Sequence, residues 1–351
     1  MPRLHDVDRL FRRGRLQRVL RLHLPLGSTP FRRISIVHGL DAGEAEHRFI
    51  LRKEGHRLLL AFDHWPVLSE DRLYHVFTTR PGVLVNIFAR TAPDVEHGLA
   101  EISDGAQSGR GIISFCSAVP GAILVPDCDF YSSGGYAAVR SMAAANGPMW
   151  EDRNATMVWR GGTTGKGLIA TDDLALDDIR LIPRTRLCLA LRGMPEVDAK
   201  LSHVVQSAEP ERDRTRLLAA GIVGDRLEAS TWRGRKFAID IDGNSNAWSN
   251  LFTRLLLGCC VIKVGSQRGY RQWYYDDLRP FEHFVPVAAD LSDLIEKIDW
   301  CRAHDRECSA IASAGQQFAL ERTLDTELSN AVERLNRTLQ SPGATERRNT
   351  I

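Results

Sequence analysis

Short apolar runs separated by turn residues fill the first third of the chain. Between Arg33 and Phe130 they read RISIVHGL, RFILRK, RLLLAFD, VLVNIFA, GIISFC and AILVPD. Each run is four to eight residues long and is bounded by glycine, proline or charged residues. Runs of this length between turn signals are typical of buried β-strands. We therefore interpret this region as a series of strands.

The second half of the chain alternates strand patterns with helical ones. TMVWRGG and the apolar stretch from Lys236 predict strands, and VIKV predicts another. GGYAAVRSMAAA, residues 212–220 and residues 308–339 predict helices. Residues 291–304 predict a further amphipathic helix capped by Asp290 or Ser292. This alternation favours an α/β fold with a parallel sheet.

Composition narrows the class of protein. The chain has 351 residues, which fits two domains or one large domain, and its 46 basic and 44 acidic residues nearly cancel. Such a balance gives no reason to expect a nucleic-acid partner. No apolar run reaches the roughly 18 residues of a membrane span. The charged start is unlike a signal peptide, and 7 cysteines without metal-ligand spacing fit reduced thiols in the cytoplasm.

The N-terminal residues combine many arginines with Leu, Val and Phe. Val7, Leu10 and Phe11 can share one face of a helix. One interpretation is an amphipathic helix packed on the protein body. The other is a basic helix, within residues 1–22, that rests on an anionic membrane surface. The sequence leaves both open.

The segment WRGGTTGKG, residues 159–167, resembles an anion-binding turn. Gly161 lets backbone N–H groups approach a phosphate, Thr163 and Thr164 supply hydroxyls, and Arg160 can bind phosphate through two parallel hydrogen bonds. A nucleotide P-loop is excluded, because glycine rather than serine or threonine follows Lys166. The alternative interpretation is a glycine-rich turn without a ligand.

DGNSN, residues 242–246, lies between a strand and a helix. Asn244, Ser245 and Asn246 can cap the helix, bind an anion at its N-terminus, or do both. Arg254 follows two turns along the helix and is a further candidate phosphate ligand. A solvated arginine is the alternative at that position.

Three carboxylates are candidates for chemistry in the first half of the chain. Asp104, in EISDGAQ, follows a short apolar run and can act as a general base, although Asp-Gly is also an ordinary turn. Asp127 and Asp129 have oxygen ligands suited to Mg²⁺ or Mn²⁺ on a sugar nucleotide. Asp240 and Asp242 have the same spacing, so that pattern has low specificity.

Several motifs in the same order resemble glycosyltransferase family 90. They are WRGGTTG, KFAIDIDGNSNAWSNLFTRLLL, VIKV, WYYDDLRPFEHFVPV and DLSDLIEKIDW. The resemblance implies an α/β chain of GT-B fold, with two Rossmann-like domains facing a central cleft. Residues 1–150 are expected to form an acceptor-side domain and residues 151–330 a nucleotide-sugar-binding domain. Residues 331–351 would be a helix end and a polar tail.

The resemblance also implies an inverting transfer from a UDP-sugar that needs no metal and no other cofactor. Asp104 matches the position of the family's catalytic aspartate, and Arg160 matches the arginine of its phosphate motif. Eukaryotic members carry an arginine near the position of Asp242, so here Arg254 or the loop amides are expected to hold the phosphates.

We expect glucose or xylose as the sugar and a lipopolysaccharide or capsule glycan as the acceptor, at the cytoplasmic face of the membrane, because the sequence is similar to bacterial members. The alternatives are a metal-dependent transferase that uses Asp127 and Asp129, and a nucleotide-sugar-binding protein without catalysis.

Overall fold

The chain divides into two compact units. A computed structural model describes residues 4–340 except 26, 40–45, 108, 110, 146, 174, 176 and 177, with the backbone alone for 4–7. The first unit comprises Met1–Ser132 and Thr323–Ile351, and the second comprises Ser133–Arg322. The sequence predicted boundaries after residues 150 and 330. The structure differs because the last helix packs within the first unit.

The first unit is built on a six-stranded sheet of order β1-β3-β2-β4-β5-β7. Strand β2 is antiparallel to both of its neighbours, whereas β1 and β3 run parallel, as do β4, β5 and β7. The strands are β1 Arg33–His38, β2 Arg48–Glu54, β3 Arg57–Phe62, β4 His97–Glu101, β5 Ile113–Ser114, β6 Cys116–Ser117 and β7 Ile123–Leu124. The helices are α1 Leu4–Arg21, α2 His64–Ser69, α3 Asp71–Thr79, α4 Gly82–Arg90, α5 Cys128–Ser132 and the last helix, α12 Leu324–Leu339.

The apolar runs of the first unit form strands with one exception. RISIVH, RFILRKE and RLLLAF form β1, β2 and β3, and Gly55 makes the tight β2–β3 turn with a φ of 51°. VLVNIFA is helical instead and lies within α4. This helix is buried almost all round, so its sequence shows a continuous apolar run rather than a helical period. Our interpretation of that run as a strand was wrong.

The second unit contains a five-stranded, wholly parallel sheet of order β13-β11-β10-β8-β9. Its strands are β8 Met157–Gly162, β9 Val197–His203, β10 Phe237–Asp240, β11 Cys260–Val264 and β13 Val285–Val287, and β12 Arg271–Gln272 lies outside this sheet. Its helices are α6 Ala137–Ala144, α7 Pro183–Ala190, α8 Pro210–Ala219, α9 Ser249–Leu256, α10 Leu294–Ala303 and α11 Asp305–Glu321. The strand order reverses between β8 and β10.

Burial explains the strand sequences of the second unit. Every residue of β10 and β11 is buried, as expected for central parallel strands covered by helices on both faces. The predicted helices at 212–220 and 308–339 correspond to α8 and to α11 with α12. Asp293, rather than Asp290 or Ser292, occupies the N-cap position of α10. The predicted α/β class is confirmed.

The N-terminal helix α1 packs on the first unit. Leu16 and Leu20 are fully buried, and Gln17 donates a 3.3 Å hydrogen bond to the carbonyl oxygen of Ile34. Leu10 and Phe11 are 65% and 62% exposed, so they do not form the packed face, and the Val7 side chain lies outside the described residues. None of the helices in the described ranges combines the length and apolar character of a membrane span.

Candidate active site

The loops that follow β8 and β10 meet at the point where the strand order of the second sheet reverses. Ala238 of β10 is paired with Val158 of β8, so the carboxyl ends of the two strands are neighbours. Gly165 in the first loop donates a 3.1 Å backbone hydrogen bond to Oδ1 of Asn244 in the second. In open parallel sheets this reversal opens the crevice in which ligands bind.

Arg184 connects these two loops. It lies in the first turn of α7 and donates hydrogen bonds of 2.7 Å to Oγ1 of Thr164 and 3.0 Å to the carbonyl oxygen of Asp242. Its guanidinium also lies 5.6 Å from the ring centre of Trp159. Burial lowers the pKa of Arg184 from its usual value. No local sequence pattern indicates this residue, because its partners are loop atoms 20 to 58 residues away.

Glycine is required where the loops approach each other. A Cβ on Gly243 would lie 2.4 Å from Oγ1 of Thr164 and 3.0 Å from Nη2 of Arg184. A Cβ on Gly162 would lie 2.6 Å from Nε2 of His203. Either added atom would displace a neighbouring side chain, that of Thr164 or Arg184 in the first case and that of His203 in the second.

Most of the predicted donor-binding residues lie in or next to these loops. The Thr163 hydroxyl bonds the backbone of Val205, accepting from its N–H and donating to its carbonyl oxygen at 2.8 Å each. Oδ1 of Asn246 accepts from the backbone N–H of Trp248. Gly161, Thr163 and Thr164 lie at the end of β8 and in the loop after it, and Asn244, Ser245 and Asn246 lie in the loop after β10. Thr164 bonds Arg184 directly, and Asn244 bonds the first loop through Gly165, while the binding of a donor by these residues stays a prediction.

Arg160 is held by β9 and the chain that follows it. Its Nη2 lies 2.6 Å from Oδ2 of Asp198, and its Nε donates a 2.8 Å hydrogen bond to the carbonyl oxygen of Asp225. A further 2.7 Å hydrogen bond reaches the carbonyl oxygen of Asp198. Arg160 would have to leave these partners to bind a phosphate, so its contact with a donor stays a prediction.

The structure separates Arg254 from the other candidates. Its guanidinium lies 3.7 Å from the ring centre of Trp232, and burial lowers its pKa to about 10. Its carbonyl oxygen accepts from the N–H of Cys259, directly before β11 begins. Arg254 therefore lies toward the amino ends of the strands, opposite the loops, and we leave it out of the candidate site.

Two carboxylates at the end of β10 have different surroundings. Asp240 accepts hydrogen bonds from Nζ of Lys263 at 3.1 Å and from Nδ2 of Asn250 at 2.7 Å. Asp242 is 3% exposed, yet within the described chain neither of its oxygens has a hydrogen-bond partner. Burial raises the pKa of Asp242 to about 6, while Lys263 and the nearby Ser266 hydroxyl lower it. The Ser266 hydroxyl oxygen itself accepts a 2.9 Å hydrogen bond from the N–H of Tyr270.

Asp104 lies just beyond the end of β4 in the first unit, where the sequence predicted a strand end. Its Oδ1 accepts a 3.0 Å hydrogen bond from Nη2 of Arg80, which also donates to the carbonyl oxygen of Ile102 at 2.8 Å. The Asp104 side chain remains 43% exposed. A carboxylate that is oriented by a partner and open to solvent can accept a proton from a bound hydroxyl.

Asp127 and Asp129 have different environments. Oδ1 of Asp127 accepts a 2.8 Å hydrogen bond from the N–H of Phe130, and burial raises the pKa of Asp127 to about 7. Asp127 is fully buried and Asp129 is exposed. Within the described residues, no group of three or more histidine, cysteine or acidic side chains is placed to hold a metal ion.

The chain is similar to several known proteins. Residues 103–328 match the model of the family described as Glycosyl transferase family 90. Uncharacterized protein 035R of Invertebrate iridescent virus 3 is 34% identical over 169 residues, which are 48% of this chain and 15% of the viral protein. Protein O-glucosyltransferase 2 of Danio rerio is 29% identical over 179 residues, or 51% of this chain and 31% of the fish protein. The chain thus spans less than a third of either relative.

Two solved structures resemble parts of the chain at low identity. A glycosyltransferase from Rickettsia africae ESF-5 covers 66% of this chain and 58% of its own, with a TM-score of 0.38 and 12% identity. Anabaena Alr3699/HepE in complex with UDP-glucose covers 53% and 49%, with a TM-score of 0.34 and 12% identity.

Proposed function

Because the chain belongs to glycosyltransferase family 90, we propose that it transfers a sugar from a UDP-sugar to a hydroxyl group of a glycan. The family that the sequence motifs resembled is thereby confirmed. We propose, beyond the family itself, the activity of this chain, its substrates and the residues that carry out the reaction.

One observation carries the donor half of the proposal, namely the pair of loops that Arg184 joins. They lie at the reversal of strand order, and α7 and α9 both begin at this edge of the sheet. Helix N-termini present unpaired N–H groups and partial positive charge. Arg184 holds the two loops in place through its own hydrogen bonds, and the helix N-termini beside them suit the diphosphate of a nucleotide sugar.

The chemical step follows from the roles of Asp104 and of the leaving group. Asp104 takes the proton of the acceptor hydroxyl as its oxygen attacks the anomeric carbon. The bond between that carbon and the β-phosphate oxygen breaks, and UDP leaves with the electron pair. The configuration at the anomeric carbon inverts, because a single displacement occurs. Fixed donors that stabilise the charge on UDP lower the barrier.

We propose that no metal ion takes part. Asp127 is occupied as the cap of α5, and it differs from Asp129 in burial. This arrangement supports the metal-free alternative over a transferase that uses the two carboxylates as ligands. Glucose is the first donor sugar to test, because the similar fish protein is named an O-glucosyltransferase, and xylose is the second.

We further propose that α1 contacts an anionic membrane surface, where a lipid-linked lipopolysaccharide or capsule intermediate would serve as acceptor at the cytoplasmic face. Phe11, Arg15, Arg18 and Leu22 are spaced to share one face of the helix, and all are exposed. Leu16 and Leu20 anchor the other face in the first unit. Exposed apolar and basic groups together suit an anionic lipid surface.

The decisive experiment is a donor screen with the purified chain. UDP-, GDP- and dTDP-sugars are compared by calorimetry and by slow donor hydrolysis without acceptor. We expect binding and hydrolysis with UDP-glucose or UDP-xylose alone. Binding without hydrolysis or transfer to any glycan would favour the non-catalytic binding protein. Absence of binding to every UDP-sugar would refute the proposal.

A further inference from the structure

The loop between β10 and α9 holds two buried polar groups that nothing else in the described chain satisfies. Both carboxylate oxygens of Asp242 lack a hydrogen-bond partner, and so does Nδ2 of Asn246. The two residues are 3% and 2% exposed. A buried polar group without a partner is unfavourable because it has lost its hydrogen bonds to water, and a charged group is more unfavourable still.

The neighbouring carboxylate shows that the fold can satisfy such a group. Asp240 lies two residues earlier and is bonded by Lys263 and Asn250. Lys263, the Ser266 hydroxyl and Arg184 lie close enough to Asp242 to lower its pKa, but within the described chain none of them reaches either carboxylate oxygen with hydrogen-bond geometry. The loop therefore contains an acceptor and a donor without partners, four residues apart in sequence.

The backbone of the same loop is strained at Trp248. This residue has a φ of 49° and a ψ of −121°, a combination that side chains other than glycine rarely adopt. Asn246 holds it there by accepting from its N–H through Oδ1. Strained backbone and unmet polar groups in one segment mark a loop shaped for a ligand.

We propose that Asp242 and Asn246 bind a vicinal diol of the donor substrate. This inference rests on the proposed function, since it takes a UDP-sugar as the ligand. Each hydroxyl of a diol both donates and accepts, so a carboxylate can accept from the pair while the Asn246 amide donates to one of them. A carboxylate repels the diphosphate, and this repulsion favours the neutral hydroxyl groups as its partners.

A diol occurs in both the ribose and the hexose of UDP-glucose, and calorimetry with two variants separates them. Asp242→Asn removes the charged acceptor and keeps the shape. Asn246→Asp keeps Oδ1 for Trp248 and removes the donor. We expect each variant to weaken UDP-glucose binding about tenfold or more. Asp299→Asn, an exposed change of the same kind on α10, should leave the affinity unchanged.

Comparing the affinities for UDP and for UDP-glucose shows which of the two diols is bound. An equal loss of affinity for UDP and for UDP-glucose would assign the ribose diol. In that case 2′-deoxy-UDP should bind wild type and Asp242→Asn with the same affinity. A loss for UDP-glucose alone assigns the hexose. Unchanged affinity for both ligands in folded variants, beside a wild type that binds them, overturns the inference alone. A wild type that binds neither UDP nor any UDP-sugar overturns the proposed function, and the inference with it.

Thermal denaturation monitors folding in every arm. Asp242→Asn removes a buried charge and should fold at least as well as wild type. If it does not fold, Asn246→Asp decides the question by the same criteria.

Discussion

Arg80 holds Asp104 through a 3.0 Å hydrogen bond from Nη2 to Oδ1. Arg80 follows α3 directly, and its other terminal nitrogen bonds the carbonyl oxygen of Ile102, so the guanidinium joins the end of a helix to the end of β4. Burial raises the pKa of Asp127, and the charge of the same arginine opposes that rise. One cation thus lies near Asp104, the predicted base, and near Asp127, one of the two carboxylates of the metal-dependent alternative.

Asp104→Asn should reduce turnover by about 10²- to 10⁴-fold, because the amide cannot accept the acceptor's proton. UDP affinity should stay within about twofold, since the candidate donor loops belong to the second unit. Initial rates with a verified acceptor and calorimetry with UDP measure the two effects. Asp71→Asn serves as the control, because Asp71 is an exposed carboxylate of the same unit that also pairs with an arginine. Near wild-type turnover for Asp104→Asn would move the base to another residue, with Asp127 tested next.

Arg184→Lys should weaken UDP binding by at least about tenfold, because one ammonium group cannot bridge Thr164 and the Asp242 carbonyl together. Calorimetry with UDP gives the change. Arg180→Lys makes the same substitution four residues earlier, at an arginine that is 69% exposed and pairs with Asp178, and should have no effect. Equal affinity for the two variants would show that the loops do not depend on Arg184. Arg160→Lys belongs in the same series, and a loss of UDP affinity there would support its predicted phosphate contact.

The free energy of unfolding should respond to pH through Asp242. Its pKa is about 6 in the folded chain and about 3.9 in an unfolded one. The folded state binds the extra proton between these values, so this group lowers stability as pH rises from about 4 to about 6.

Asp242→Asn lacks this effect, and the ligand-free variant should be more stable than wild type by about 1–3 kcal/mol above pH 7. The difference should shrink toward pH 4. Urea denaturation at both pH values checks the sign, and equal stability at pH 7.5 would contradict a buried ionised carboxylate.

Reversing two charges on α1 should weaken binding to anionic vesicles at least about tenfold, because each basic group near such a surface contributes about 1 kcal/mol. Arg15→Glu with Arg18→Glu tests this in a vesicle co-sedimentation assay at low salt. Point changes are preferable to deletion of the helix, since Leu16 and Leu20 are part of the core. Arg212→Glu with Arg214→Glu on α8 has the same change in charge. A loss of equal size in that control would indicate a nonspecific effect of net charge.

Turnover should survive exhaustive chelation, because the proposed step uses Asp104 and fixed donors alone. Rates with EDTA and after addition of Mn²⁺ or Mg²⁺ make the comparison. Activity that disappears with EDTA and returns with Mn²⁺ would favour the alternative in which Asp127 and Asp129 bind the ion.

The sequence predicted the parts of the site that depend on local pattern. Glycines, threonines and asparagines after two apolar strands indicated the loops, and the structure brings them together through Gly165 and Asn244. The contact arises because β8 and β10 are neighbouring parallel strands, so the loops that follow their carboxyl ends lie next to each other. Local pattern could not show that Arg160 would be held by Asp198, since the partner lies on a different strand.

The sequence also contains a pattern that indicates a buried ion pair. Lys263 interrupts an otherwise apolar buried strand, and a lysine in such a place needs an acidic partner. Asp240, at the end of another buried strand, is that partner. Pairing the two would have left Asp242 as the carboxylate without a counterpart. Arg184 gave no comparable signal, because nothing near it in sequence distinguishes it from a surface arginine.

The return of α12 to the first unit has a consequence for folding during synthesis. Leu328, Ala331 and Leu335 are buried, and Oδ1 of Asn336 accepts from the N–H of Ala92. The second unit is one continuous segment, Ser133–Arg322, and all of it leaves the ribosome before this helix does. The second unit can therefore complete its hydrophobic core during synthesis. The first unit can complete its own core only after α12 has been synthesised.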